Sequence, residues 1–149
     1  MNNYYIYGFR LISNITLTNI PNYYTQPYRS ILYLDFIKKT LVESTWEITL
    51  EINSNEYMLY LGDHITYHIS PVEKKITAYA SDTTLVESTI INLPFAVFAM
   101  SQNALLLHTS VLVNNNKLIP ICASKGTGKT TLSAAMSKYF PLFSDDTLF

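Results

Sequence analysis

The octapeptide A-S-K-G-T-G-K-T, residues 123–130, constrains this chain more than any other stretch, because its backbone chemistry needs a strand before it and a helix after it. It fits the phosphate-binding loop (Walker A) pattern of four free positions followed by Gly-Lys-Ser/Thr. Ala123 stands where a first Gly is more usual, and its Cβ is the smallest possible intrusion. Lys117 to Cys122 (K-L-I-P-I-C) reads as a short buried strand, and Thr131 to Tyr139 (T-L-S-A-A-M-S-K-Y) is apolar at helical spacing.

Gly126 and Gly128 can adopt φ > 0 and carry no side chain, so successive backbone N–H groups can turn inward around an anion. The first N–H groups of the helix have no intrahelical partner, and the helix dipole favours negative charge there. Lys129 is placed to reach the outer phosphates, and the Thr130 hydroxyl to bind the accompanying Mg2+. The candidate nucleotide-binding segment is Ala123, Ser124, Lys125, Gly126, Thr127, Gly128, Lys129, Thr130 and Thr131, with Lys125 read as a solvated charge. The competing reading is a Gly-rich turn that happens to fit a loose pattern.

With 149 residues the chain can form one ordinary domain or two small ones, and 48% hydrophobic with 14% charged residues makes it globular. Net charge is −1 and no basic run is present, which argues against a nucleic-acid partner held by phosphate contacts. The single cysteine, Cys122, is expected to be a buried small hydrophobe. The N-terminus shows no basic region followed by an apolar core, and the apolar segment Leu93 to Leu107 is interrupted by Ser101, Gln102 and Asn103 and is too short to span a bilayer. The expectation is a cytoplasmic protein with no membrane partner.

Residues 1–91 read as β-rich. Tyr4 to Ile12 is one apolar stretch with Gly8 as a possible bulge. The segment 19–27 is a loop, and Ile31 to Ile37 can be strand or short helix. Thr45 to Ile52 alternates cleanly, with Trp46, Ile48, Leu50 and Ile52 expected on a buried face. Asn53-Ser54-Asn55 turns into a returning strand, Gly62-Asp63 turns again, and an antiparallel meander continues to Ala80. His64 and His68 can suggest a metal site, but no third ligand lies nearby, and surface histidines are the better reading. The hexapeptide T-L-V-E-S-T occurs from Thr40 and again from Thr84, with flanks that do not match.

Near Asn92 the pattern changes. Asn92 can cap a helix with Pro94 in its first turn, and Phe95 to Met100 is apolar on nearly every face. Leu105 to Val113 reads as a buried strand, and Asn114-Asn115-Asn116 as the hairpin turn into the strand before the loop. The boundary between a β-rich region, 1–91, and the start of a phosphate-loop domain, 92–149, therefore falls near residue 91, and the fold class is α+β or α/β. Pro141 stops the helix after the loop, Leu142-Phe143 starts a strand, and Ser144-Asp145-Asp146 ends it. Adjacent carboxylates there suit magnesium binding, although Asp-Asp is also a common surface turn.

In this order, His108 in L-H-T-S-V-L, the loop, its helix and S-D-D resemble the C-terminal catalytic domain of the HPr kinase/phosphorylase family. The likeness extends to HPr-kinase-like proteins of peptide-modification clusters. It covers residues 93–149, and its more specific element is the closeness of Asp145 to the loop. The resemblance implies an ATP-dependent serine kinase using ATP and Mg2+, acting on a peptide or small protein that bears a serine. It makes Asp145 the base, His108 the group that orients it, and Asp146, with Thr130, a magnesium ligand. Without the resemblance, His108 reads as a core histidine on a strand. A non-catalytic nucleotide-binding regulatory or scaffold module and a small-molecule kinase of the same fold are the alternatives. The family domain runs on beyond the acid pair, so the chain is expected to be an N-terminal fragment or one half of a split protein, inactive alone. Apolar surface beside the helix Leu93 to Met100 is expected to favour a homo-oligomer.

Overall fold

The computed structural model describes residues 1–20, 22, 27–40, 47–104, 107–124, 126–144 and 147–148, with His108, Thr147 and Leu148 described by backbone alone. The fold is mixed α+β and strand-rich, and it divides into two compact units, Met1–Asn103 and Ala104–Phe149.

In the first unit, β1 (Asn2–Ile6) and β2 (Phe9–Ser13) form a hairpin. Its turn residues Tyr7 and Gly8 have φ of 46° and 84°, the left-handed pair that matches the twist of two short strands. Gly8 therefore reverses the chain instead of bulging one long strand. Next come β3 (Ser30–Lys38), which settles the ambiguous segment as strand, β4 (Ile48–Asn53), β5 (Glu56–Leu61), β6 (Ile65–Ser70) and β7 (Lys75–Ala80). The sheet order is β1-β2-β3-β7-β6-β5-β4. The meander from β4 to β7 is antiparallel as expected, whereas β3 lies parallel to both β2 and β7.

Two helices cover one face of this sheet: α1 (Thr83–Thr89) on β7 and α2 (Leu93–Ser101) on β6, bent by 57° to each other. The sequence reading did not anticipate α1. Its signal is Asp82, whose carboxylate accepts the N–H groups of Thr84 (2.9 Å) and Leu85 (3.2 Å). The second T-L-V-E-S-T copy completes α1, while residues 41–45 of the first copy lie outside the described residues. Asn92 precedes α2 as expected but makes no side-chain cap. Phe95 and Phe98 of α2 meet Phe9 edge-on, with ring centroids 5.5 and 5.7 Å away. Because α2 buries Phe95, Ala96, Phe98 and Ala99 on the sheet, the division between units falls after Asn103 instead of near residue 91. Among the described residues no single helix is long and apolar enough to cross a membrane.

The alternation in β4 does not bury a face. Ile48, Leu50 and Ile52 stand opposite Leu61, Leu59 and Tyr57, so they point to the helix side, yet they are 65%, 43% and 64% exposed. β4 is the edge strand, and the helices rest on β6 and β7. The uncovered apolar surface expected around α2 is present there at Leu93 (40% exposed) and Met100 (61% exposed), and β4 adds more of it. Trp46 and the start of this expected strand lie outside the described residues.

The second unit contains β8 (Leu107–His108), β9 (Ser110–Asn114), β10 (Lys117–Ile121), α3 (Lys129–Met136), β11 (Leu142–Ser144) and β12 (Thr147–Leu148). The buried strand expected over Leu105 to Val113 is broken at Thr109, which is buried and donates its hydroxyl to the Ser110 carbonyl at 3.1 Å. Asn115 and Asn116, at φ of 49° and 61°, form the expected hairpin turn from β9 to β10. β10 is half-exposed, not buried: it is the edge of the order β10-β9-β11, where Pro120, lacking an N–H, is tolerated.

Candidate functional site

β10 and β11 each run antiparallel to β9 on opposite sides of it, so they are parallel to one another and α3 crosses between them. Ile121 at the end of β10 pairs with Ser110, and Ser144 at the end of β11 pairs with Val111. The loop 122–128 and the segment leading to Asp145 therefore leave the sheet at one end, beside the start of β9. Ligands of parallel β-α-β units bind outside the carboxyl ends of such strands.

Within the loop, Gly126 has φ 81° and Gly128 has φ 92°. Among the described residues a Cβ built on either would meet nothing within 4 Å, so glycine is required here for conformation and not for clearance. The loop is braced internally by the Thr127 hydroxyl, which donates to the Ser124 carbonyl at 2.7 Å. Gly128 then begins α3, accepting the Leu132 N–H at 2.8 Å. Among the described residues no side chain caps this helix start, and no acidic residue occupies its first turn, so its leading N–H groups and positive dipole end can receive an anion.

Lys129 is half-buried and folds back across the loop. Its ammonium donates to the Ala123 carbonyl at 2.9 Å and approaches the Ser124 carbonyl at 3.4 Å. Glycines at positive φ, a helix with no acid in its own first turn and a lysine folded over the loop suit a polyphosphate. Thr130 is exposed in the first turn of α3, where its hydroxyl can bind magnesium. Among the described residues no three His, Cys, Asp or Glu side chains gather as a metal cage. Magnesium does not require one, since it binds through one or two protein oxygens together with phosphates and water.

Cys122, expected to be buried, is exposed, because it follows an edge strand. Its thiol lies 3.5 Å from the Thr109 hydroxyl, linking the loop's first residue to the break between β8 and β9. Thr109 was missed in the sequence; its only signal was its place next to His108. His108 pairs through its backbone with Thr147. The two acids thus lie, along the chain, between Ser144, paired with Val111, and Thr147, paired with His108. Asp145, Asp146 and Lys125 themselves lie outside the described residues. Away from this site, His68 Nε2 lies 2.9 Å from the Glu56 carboxylate, whose other oxygen accepts the Ser70 hydroxyl (2.8 Å), in keeping with a surface histidine.

No family model, curated protein or solved structure matches the chain.

Proposed function

We propose that the chain is an ATP-dependent serine kinase of the HPr-kinase-like type, or the N-terminal part of one, transferring a phosphoryl group to a serine of a peptide or small protein. The observation that carries this reading is the loop between β10 and α3, with Gly126 and Gly128 at positive φ and the Lys129 ammonium at its mouth. Phosphoryl transfer is mostly positioning and charge neutralisation, which such a loop supports. Bound Mg-ATP supplies the transferable phosphoryl group. Lys129 would leave the Ala123 and Ser124 carbonyls to hold the outer phosphates, the N–H groups of the loop and of the first turn of α3 would hold the rest, and Thr130 and Asp146 would bind the metal. Asp145 takes the proton from the serine hydroxyl, and His108 orients it.

Calorimetric titration with Mg-ATP, followed by incubation with γ-labelled ATP and seryl peptides, tests the proposal. Label on serine is the expected result. Binding without transfer favours a regulatory nucleotide-binding module, and label on a small hydroxyl compound favours a small-molecule kinase. Absence of nucleotide binding overturns the phosphate-loop reading itself.

A further inference from the structure

The edge strand β4 lacks the lysine, the proline and the bulge that most often keep sheet edges apart, and its one charge is Glu51. Strand edges are usually blunted by lysine, proline or a bulge. β4 has no lysine or proline, and it pairs with β5 without a register shift from Ile48 to Asn53. The opposite edge of the same sheet is treated differently, since Tyr4 of β1 is bridged by Asn22. The Glu47 carbonyl accepts the Gly62 N–H at 2.8 Å, so alternate backbone groups from Glu47 to Asn53 are turned to β5. Those of Ile48, Leu50 and Ile52 are turned outward, and the same residues carry the exposed apolar side chains.

We infer that β4 is a homodimer interface, pairing antiparallel with β4 of a second copy in the register that sets Leu50 against its own counterpart. This register places Ile48 opposite Ile52 of the other copy, so all the apolar residues match on one face, and each such pair can exchange two backbone hydrogen bonds. On the other face Thr49 meets Glu51, and Glu47 meets Asn53. The neighbouring registers fail on charge: centring on Thr49 sets Glu47 against Glu51, and centring on Glu51 sets that carboxylate against itself. Like charges directly opposite destabilise a strand pair. Glu51 is fixed on that face, accepting the Tyr60 hydroxyl at 3.2 Å, so it cannot simply be ignored. Complementarity of one strand with itself, in one register, is what selects a second copy as the occupant.

The test uses the 149-residue chain. Sedimentation equilibrium is expected to show a dimer, and Leu50→Lys, which sets two ammonium groups against each other, to weaken it at least tenfold with an unchanged circular dichroism spectrum. Register is read by disulfide trapping in a Cys122→Ser background. Opposed residues stand about 5.5 Å apart at Cα, within disulfide reach. Leu50→Cys is expected to cross-link with itself. Ile48→Cys and Ile52→Cys should each stay uncross-linked alone, their own counterparts being roughly 13 Å away along the strand, and should cross-link when mixed. A monomeric native chain, a dimer indifferent to Leu50→Lys, or cross-linking of Ile48→Cys with Leu50→Cys overturns the inference.

Discussion

The Lys129 ammonium sits 2.9 Å from the Ala123 carbonyl, so the first residue of α3 is hydrogen-bonded back to the near end of the loop. Among the described residues the lysine has no carboxylate partner, and its two carbonyl contacts are ones that a phosphate can displace. Lys129→Ala is expected to weaken Mg-ATP binding by about 10- to 100-fold, the worth of a hydrogen bond to a charged group. Its thermal midpoint should stay close to that of the native chain, since the side chain contributes little packing. Calorimetry and a melting curve together check this; unchanged affinity refutes the assignment.

Gly128→Ala separates conformation from clearance. The added methyl meets nothing, but φ of 92° costs an L-residue on the order of 1–2 kcal/mol. The expected outcome is a lower melting temperature together with weaker nucleotide binding, because α3 can no longer start where it does. If Gly128→Ala binds Mg-ATP as the native chain does, the loop conformation is not what the ligand recognises.

The proposed chemistry is tested at the acid pair in a complete enzyme. Asp145→Asn should lower transfer by roughly 10²- to 10⁴-fold with little change in nucleotide affinity, and Asp146→Asn should first raise the magnesium requirement. His108→Ala should lose most of its effect once Asp145 is Asn, since groups acting as a unit are not additive. An exchange of the two aspartate phenotypes exchanges their roles, and no effect from either leaves the pair a surface turn.

Tyr67 and Thr89 predict an asymmetry in stability. The Thr89 hydroxyl donates to the Leu85 carbonyl at 2.6 Å, so the Tyr67 hydroxyl, 2.6 Å away, donates to it. Burial holds the Tyr67 phenol protonated by raising its pKa far above the ordinary value. Tyr67→Phe should cost about 0.5–1.5 kcal/mol, whereas Thr89→Val, which strands a buried phenol hydroxyl, should cost about 1–3 kcal/mol. Urea unfolding of both variants decides, and the reverse ranking contradicts the donor assignment.

Acid should loosen the first unit through Glu87 and Asp82. The Thr18 hydroxyl and the N–H groups of Asn19 and Thr18 hold the Glu87 carboxyl below its ordinary 4.5, and the Leu85 and Thr84 N–H groups hold Asp82 below 3.8. A depressed folded-state pKa contributes stability above the unfolded value and loses it as pH falls through the folded one. Stability should therefore decline below about pH 4.5, and Glu87→Gln should both lower stability at neutral pH and flatten that decline. Parallel pH curves for the two proteins speak against the clamp.

Local chemistry was legible in this sequence and sheet position was not. Asn115-Asn116 announced its turn because asparagine accepts the left-handed conformation at little cost, whereas in the Ser54-Asn55 turn it is the serine that adopts it. The loop lay between strand and helix as its pattern required. Helix α1 was hidden because T-L-V-E-S-T reads equally well as strand, and only the Asp82 cap distinguishes it. Alternation in β4 correctly signalled a strand, but burial depends on which strands lie beside it. That was decided by the parallel placement of β3 on β7, a pairing between residues far apart in sequence. The same blindness turned β10 and Cys122 inward on paper, when an edge leaves both exposed.

The Asn115–Asn116 turn acts as a gauge block for the loop at the far end of its hairpin. From Asn114 opposite Lys117 to Ser110 opposite Ile121 the rungs run without a slip, so the length of the turn fixes the height at which Cys122 leaves the sheet. A slip of one rung against β9 would reverse the faces of all the side chains of β10. The height of Cys122 therefore rests on this turn keeping its two left-handed asparagines.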